Sequence, residues 1–453
     1  MMAQQHAIHM TEGVIWKQII RFALPVFFGN LFQQLYNVAD SLVVGNFLGT
    51  EALAAVSSSG SLIFMMVGLF QGIFIGAGVV VSRYWGARDE KNVSLAVHTA
   101  IAFAILAGLL LTAAGVAFTP TILRWMDTPE NVLPNSITYF RIYFSGVIFT
   151  VMYNAANGVF QAVGDSRHPL YYLIISSIVN VVLDLLFVAG LGMGIGGAAF
   201  ATVISQAVSA LLALRKLCHS EGAFRINPCM IRLNLPLLRE ILRLGVPSGV
   251  QNAIISFANI IVQFSINGFG DMAMAGCGTY SKIEGFAFLP ITSFSMALTT
   301  FTGQNLGARK PDRARRGARF GIIACMLIAE MIGVLIYLFI PVLITLFNSA
   351  AEVVHYGTIH ARVTTLFYFL LAYSHAVSGV LRGAGRSIVP MLVMLVCWCV
   401  IRVSYILIVV PIVGHLTAIS WAYPLTWTLS TICFLFYYFK ANWLSTSEKT
   451  NAA

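Results

Sequence analysis

Gly158-Val159-Phe160-Gln161-Ala162-Val163-Gly164-Asp165-Ser166-Arg167-His168-Pro169 returns 221 residues later as Gly379-Val380-Leu381-Arg382-Gly383-Ala384-Gly385-Arg386-Ser387-Ile388-Val389-Pro390. The same offset carries Gly86-Ala87-Arg88 onto Gly307-Ala308-Arg309 and Arg141 onto Arg362. With a one-residue slip, Arg21, Pro25 and Asn30 return as Arg243, Pro247 and Asn252. The chain is thus a tandem duplication along nearly its whole length. Each copy is mostly apolar. Two duplicated membrane lobes that rock against each other, opening a central cavity to alternate sides, are a common transporter build.

The composition agrees with a membrane protein. Hydrophobic residues make up 58% of the chain and charged residues 10%, against roughly 25% charged in soluble domains. Apolar stretches of about 20 residues recur between short polar breaks. Helices are predicted near 19–47, 53–82, 93–118, 136–161, 169–190 and 195–217 in the first copy. In the second copy they fall near 239–268, 273–303, 317–341, 357–382, 389–411 and 417–440. The expected fold class is an all-α integral membrane protein of twelve transmembrane helices in two six-helix lobes. An even number per copy gives both lobes the same orientation, so the expected symmetry is a pseudo-two-fold axis along the membrane normal.

Arg and Lys set the topology. They cluster at Lys17 and Arg21, at Arg83, Arg88 and Lys91, at Arg167, between Arg215 and Arg243, between Arg309 and Arg319, at Arg382 and Arg386, and at Lys440 and Lys449. The intervening loops hold only Arg124. Cytoplasmic loops carry the excess of basic residues, so both termini are expected in the cytoplasm and the protein in the plasma (inner) membrane. The organisation read from this is a cytoplasmic N-terminal segment 1–18, an N-lobe 19–217, a cytoplasmic linker 218–238, a C-lobe 239–440 and a cytoplasmic tail 441–453. The net charge of +10 is mostly a topology signal. No basic soluble domain exists to bind nucleic acid, and none is expected as a partner.

Several enzyme classes lose support. The seven cysteines and nine histidines show neither a C-x-x-C nor an H-E-x-x-H spacing. No G-x-x-x-x-G-K-[ST] phosphate loop is present, which argues against ATP-driven pumping. The glycine run Gly190–Gly197 follows a membrane helix rather than a strand and reads as a tight turn with close packing. The first apolar stretch carries Gln33, Gln34, Asn37 and Asp40 and is no cleavable signal.

Ionisable side chains inside a bilayer are costly and mark function by default. Asp40, Asp184, Lys282, Glu284, Glu330 and Arg402 stand out. Asp40, Asp184 and Thr202 each fall roughly 9–12 Å below the outer surface at 1.5 Å per residue. Asn180 lies one turn deeper than Asp184 on the same face. Two carboxylates, an amide and a hydroxyl at one depth suit a small hard cation such as Na+. They suit a proton equally, since two desolvated carboxylates cannot both stay charged cheaply. The positions 221 residues later are Ile261, Ile401, Tyr405 and Tyr423, so the scaffold is duplicated but the carboxylates are not. The bland alternative is that Asp40 and Asp184 only bond neighbouring backbone near helix ends.

In the second copy Glu330 and Arg402 lie at comparable depth, and the structural reading pairs them. Glu284 on a cavity wall would attract a cationic substrate, while its alternative is a Lys282 or Arg402 partner. Pro25 removes a backbone hydrogen bond inside the first helix and reads either as a hinge or as a static kink.

The order Pro25…Asn30…Gln34…Asn37-Val38-Ala39-Asp40…Gly45…Leu48-Gly49…Ala52-Leu53-Ala54-Ala55 is specific in combination. It is followed by Gly86-Ala87-Arg88, the two Gly-x-x-x-x-x-Gly-[Asp/Arg]-Ser segments, Asn180…Asp184 and Gly196-Gly197-Ala198-Ala199-Phe200-Ala201-Thr202. Over about residues 15 to 440 this resembles the multidrug and toxic compound extrusion (MATE) family of the oligosaccharidyl-lipid/polysaccharide flippase superfamily. The resemblance implies a twelve-helix, two-lobe antiporter, not an enzyme, that exports cationic or amphipathic small molecules in exchange for Na+ or H+. It implies an N-lobe cation site at Asp40, Asn180, Asp184, Thr202 and the Ala198 backbone, and a bend at Pro25. The NorM type places acidic residues in the first and fourth helices of the second lobe. This chain has none in the membrane interior of the first and none in the fourth, and looks more like the DinF or Gram-positive branch. No cofactor beyond the coupling ion is expected, and a monomer in the lipid bilayer is. The rivals are a flippase for lipid-linked saccharides, which should line its cavity with Arg and Lys, and a membrane-embedded enzyme, for which no catalytic constellation is visible.

Overall fold

In a computed structural model the described residues are 9–125, 130 and 132–444, with side chains described outside 50–65 and 125. The ends of the expected N-terminal segment and C-terminal tail, 1–8 and 445–453, lie outside them. Every regular element among the described residues is helical. The order is α1 (Ile15–Gly86), α2 (Glu90–Trp125), α3 (Leu133–Ser145), α4 (Val147–Ala162), α5 (Arg167–Asp184), α6 (Gly194–Cys218) and α7 (Leu235–Asn267). It continues with α8 (Asp271–Gly307), α9 (Pro311–Thr345), α10 (Ala351–Thr364), α11 (Tyr368–Gly383), α12 (Ile388–Met394), α13 (Arg402–Val413) and α14 (Leu416–Lys440).

These resolve into the twelve expected membrane helices. α1 contains two of them, broken at Gly49, whose φ of 83° and ψ of −174° suit only glycine. The expected single helix over 136–161 is one span in two pieces, α3 and α4, because the chain bends at Gly146, where a Cβ would run into the Val203 side chain of α6. α10 and α11 form one span interrupted by a 3-10 turn at Thr365–Phe367. α5 and α12 each run on into a π-helical segment, Leu185–Gly190 and Leu395–Ile401. Ten helical stretches among the described residues are individually long and apolar enough to cross a bilayer. Most elements outrun the hydropathy boundaries, since backbone hydrogen bonding continues through the polar residues where an apolar window stops.

The duplicated motifs fold alike. Arg88 and Arg309 both adopt left-handed backbone, with φ of 58° and 55°. Asp89 N–H then donates to the Tyr84 carbonyl (3.0 Å) and Lys310 N–H to the Asn305 carbonyl (2.8 Å). Gly164 and Gly385 close α4 and α11 in the same way, with φ of 83° and 72°. Gly158 and Gly379 sit where a Cβ would strike the Phe74 and Ser295 carbonyls, again 221 residues apart.

The chain forms two compact units. One comprises Met1–His9 and Phe28–Gly249, the other Met10–Phe27 and Val250–Ala453. The first is built on an apolar core running from Ile73 and Phe74 through Val97, Phe140, Val151 and Phe160 to Ile241 and Leu244. The second packs α8, α9, α10 and α11 together, with buried Leu298, Phe301, Val377 and Leu381.

Candidate cation site

The first unit carries the cluster expected from sequence. α1 presents Asp40, α5 presents Asn180 and Asp184, and α6 presents Ala198 and Thr202. All five are buried, Asn180 and Asp184 completely. The Asp40 and Asp184 carboxyl groups lie close to each other. The Thr202 hydroxyl donates to the Ala198 carbonyl at 3.0 Å, which leaves that oxygen a second lone pair.

The decisive feature is what these groups lack. Asp40 Oδ1, both carboxylate oxygens of Asp184 and both amide atoms of Asn180 are buried with no hydrogen-bond partner. Buried polar atoms are almost always satisfied, and carboxylates in apolar surroundings more so than most. Oxygen atoms gathered from three helices at one depth fit a hard cation or a shared proton. Among the described residues no three His, Cys, Asp or Glu side chains converge as for a transition metal. The backbone is also unusual here. The π-helical segment begins at Leu185, directly after Asp184, and such insertions gather at functional sites.

The surroundings were not legible from the motifs. Tyr36 comes from α1 one turn before Asp40 and lies beside Thr202. Tyr139 of α3 is buried beside Asp40 and stacks on Tyr143 with ring centroids 6.4 Å apart. An apolar shell of Val43, Val44, Val188, Ile195 and Ala199 closes around the group. The four-residue spacing from Tyr36 to Asp40 was a usable signal; Tyr139 required knowing which helices meet. Beneath the site, Gln33, Tyr36, Ser176, Ser177, Ser205 and Gln206 line a small polar pocket.

In the second unit Pro247 lies in α7, and Lys282 and Glu284 lie in α8. Lys282 is exposed and Glu284 partly buried. Glu284 sits beside Arg402 and the Tyr280 hydroxyl, which itself bonds Thr364 Oγ1 (2.6 Å) and the Tyr368 hydroxyl (2.7 Å). Arg402 is 1% exposed and follows directly on the π-helical segment Leu395–Ile401. Its guanidinium donates to Thr426 Oγ1 at 2.9 Å and lies over the Tyr423 and Trp398 rings, 4.6 and 5.2 Å from their centroids. Glu330 instead accepts the Phe369 N–H at 3.0 Å, where the 3-10 turn between α10 and α11 frees a backbone donor. The expected Glu330–Arg402 bridge is therefore replaced: no ion pair among the described residues joins the two. Arg382, counted among the basic loop residues at the end of the predicted 357–382 helix, is buried in the last turn of α11 and donates to Ser295 Oγ at 2.9 Å. Pro25 lies inside α1, where the dihedrals stay helical up to Gly49.

A duplicated helical membrane fold with buried polar groups gathered inside one unit defines a class of multi-span membrane transporters. A family model described as MatE matches the chain twice, over residues 25–186 and 247–408. The chain belongs to the MATE family. It is 30% identical over 438 residues to the probable multidrug resistance protein YoeA of Bacillus subtilis (strain 168), covering 94% of this chain and 93% of that one. It is 27% identical to the probable multidrug resistance protein NorM of Thermotoga maritima, over 84% and 82% of the two chains. Among solved structures, an outward-facing multidrug resistance MATE family transporter of the MOP superfamily matches with a TM-score of 0.90 at 24% identity, over 97% of this chain and 99% of that one.

Proposed function

We propose that this chain is a plasma-membrane antiporter that exports cationic or amphipathic small molecules in exchange for Na+ or H+ bound at Asp40, Asn180, Asp184, Thr202 and the Ala198 carbonyl. The observation that carries this reading is the set of orphaned buried oxygens on Asp40 and Asp184. A cation or a proton bound there would offset that electrostatic cost, and either can couple to transport if the two conformations bind it differently. The multidrug resistance and export names of relatives that span the same length support small-molecule efflux.

Substrate attraction is assigned to Glu284, which sits beside Arg402, whose guanidinium is itself engaged by Thr426 and the Tyr423 ring. Pro25 is assigned the hinge role in α1. The lobes are taken as 19–217 and 239–440 and the linker as 218–238, with both termini cytoplasmic and the working unit a monomer.

The test is efflux of ethidium from proteoliposomes under separately imposed Na+ and pH gradients. Export driven by one of the two is expected. Equal leakage with and without both gradients would refute the antiport reading.

A further inference from the structure

We infer that the second unit carries a binding site for an anionic phospholipid, in a groove between the basic ends of α9 and α14 with α11 as its floor. The two walls both pack on α11 and barely on each other. Cys325 of α9 meets the Ala372 carbonyl at 4.0 Å, and Thr431 of α14 donates to the Leu370 carbonyl at 3.4 Å. On the α9 wall Arg315 and Arg319 stand exposed, one turn apart. The same face continues into the bilayer as Ile323, Leu327 and Met331, which are 52%, 66% and 59% exposed.

The other side of the groove supplies phenols. Tyr438 of α14 lies beside both arginines and packs on the buried Trp443, with ring centroids 5.2 Å apart. Tyr373, on the α11 floor, lies beside Tyr438 and is 8% exposed. Tyr438 stands near the end of α14 and Tyr373 further from the end of α11, so Tyr373 is the deeper of the two.

None of these polar groups is engaged. Among the described residues neither arginine makes an ion pair or a hydrogen bond, and neither phenol hydroxyl makes a hydrogen bond. Asp312, three residues before Arg315, forms no ion pair either. A buried phenol hydroxyl without a partner is unusual. The positive-inside rule asks for basic residues at this end. It does not ask for them to stand over unengaged phenols at the head of an apolar stripe. Basic pockets between membrane helices suit anionic headgroups. Arg315, Arg319 and the Tyr438 hydroxyl can donate to the phosphate oxygens, and Tyr373 to the glycerol ester carbonyls beneath. The acyl chains then lie along Ile323 and Leu327.

The duplication shows the same corner filled in the first unit. Arg319 corresponds to His98 and Tyr438 to Leu217. There the linker after α6 occupies the corner. Asn227 N–H donates to His98 Nε2 (3.0 Å) and Ile226 N–H to the Leu217 carbonyl (3.1 Å), with Ile226 only 3% exposed. In the second unit the described residues after α14 place Trp443 on Tyr438 and leave Arg315 and Arg319 exposed. The remaining residues, 445–453, bring one acid, Glu448, and one base, Lys449, so they offer the arginines no net negative charge.

The site requires neither transport nor an assigned orientation, so its test is independent of the antiport reading. The unfolding midpoint of the purified chain in neutral detergent is measured against added phosphatidylglycerol, phosphatidylcholine or glycerol 3-phosphate. Phosphatidylglycerol is expected to raise the midpoint by several degrees, saturably, while the other two have little effect. Arg315→Gln/Arg319→Gln is expected to lose the rise and Tyr438→Phe to weaken it, whereas Arg232→Gln, an exposed linker residue, keeps it. Equal stabilisation by both lipids, or a full rise in the double variant, overturns the proposal. A full rise with glycerol 3-phosphate overturns the assignment to a lipid. A rise that appears only after residues 445–453 are removed overturns it in favour of the chain's own tail as occupant.

Discussion

Asp40 and Asp184 are 144 positions apart in the chain, yet their carboxyl groups lie close to each other inside one unit. Neither is near a Lys or Arg in any ion pair among the described residues. Two carboxylates brought together without a basic partner carry an electrostatic cost that a bound cation or a shared proton would offset.

Asp184→Asn is expected to abolish gradient-driven export while the protein stays folded and inserted. The substitution keeps the volume and removes one charge from a completely buried group. A loss of roughly 5- to 150-fold corresponds to typical coupling energies between sites. Transport at the parental rate, at equal membrane abundance, would exclude Asp184 from coupling.

Glu284→Gln is expected to weaken export of cationic substrates more than neutral ones, because a carboxylate attracts a cation far more strongly away from bulk water. The measurement is the ratio of efflux rates for a cationic and a neutral dye. A ratio that does not move would assign Glu284 to supporting Arg402 and Tyr280 instead.

Asp40→Asn is expected to remove the response of α1 to the coupling ion, and Pro25→Ala to reproduce part of that defect. The two residues lie on one helix, roughly four turns apart. Spin-label distances between α1 and α5, with and without Na+ and across pH, read the bend. Distances that never change while transport stays coupled would leave the hinge without a role.

Gly158→Ala and Gly379→Ala are expected to destabilise the chain by similar amounts, about 1–3 kcal/mol each, the usual cost of overpacking a close helix crossing. Each added methyl meets a carbonyl of the preceding helix pair, Phe74 or Ser295. Thermal unfolding in detergent measures both. A large loss at only one site would mean the two crossings, alike in geometry, differ in how far they can relax.

The membrane class, the helix count and the duplication were all legible in the residues themselves, because bilayer insertion demands local hydrophobicity and because Gly164 and Gly385 end their helices by local backbone preference alone. Depth along a helix is also local, so Asp40, Asn180, Asp184 and Thr202 could be placed at one level by counting residues. Partners across helices could not. Tyr139 beside Asp40, Glu330 on the Phe369 N–H rather than on Arg402, and Arg382 buried against Ser295 depend on which faces meet, and an all-apolar helix carries no periodic mark of its contact face. The change of unit within α1 and α7 is of the same kind: proline marks where each helix can bend, but only the packed Gly72, Gly76, Gly245 and Gly249 backbones decide that the residues of α7 before Val250 join the first unit.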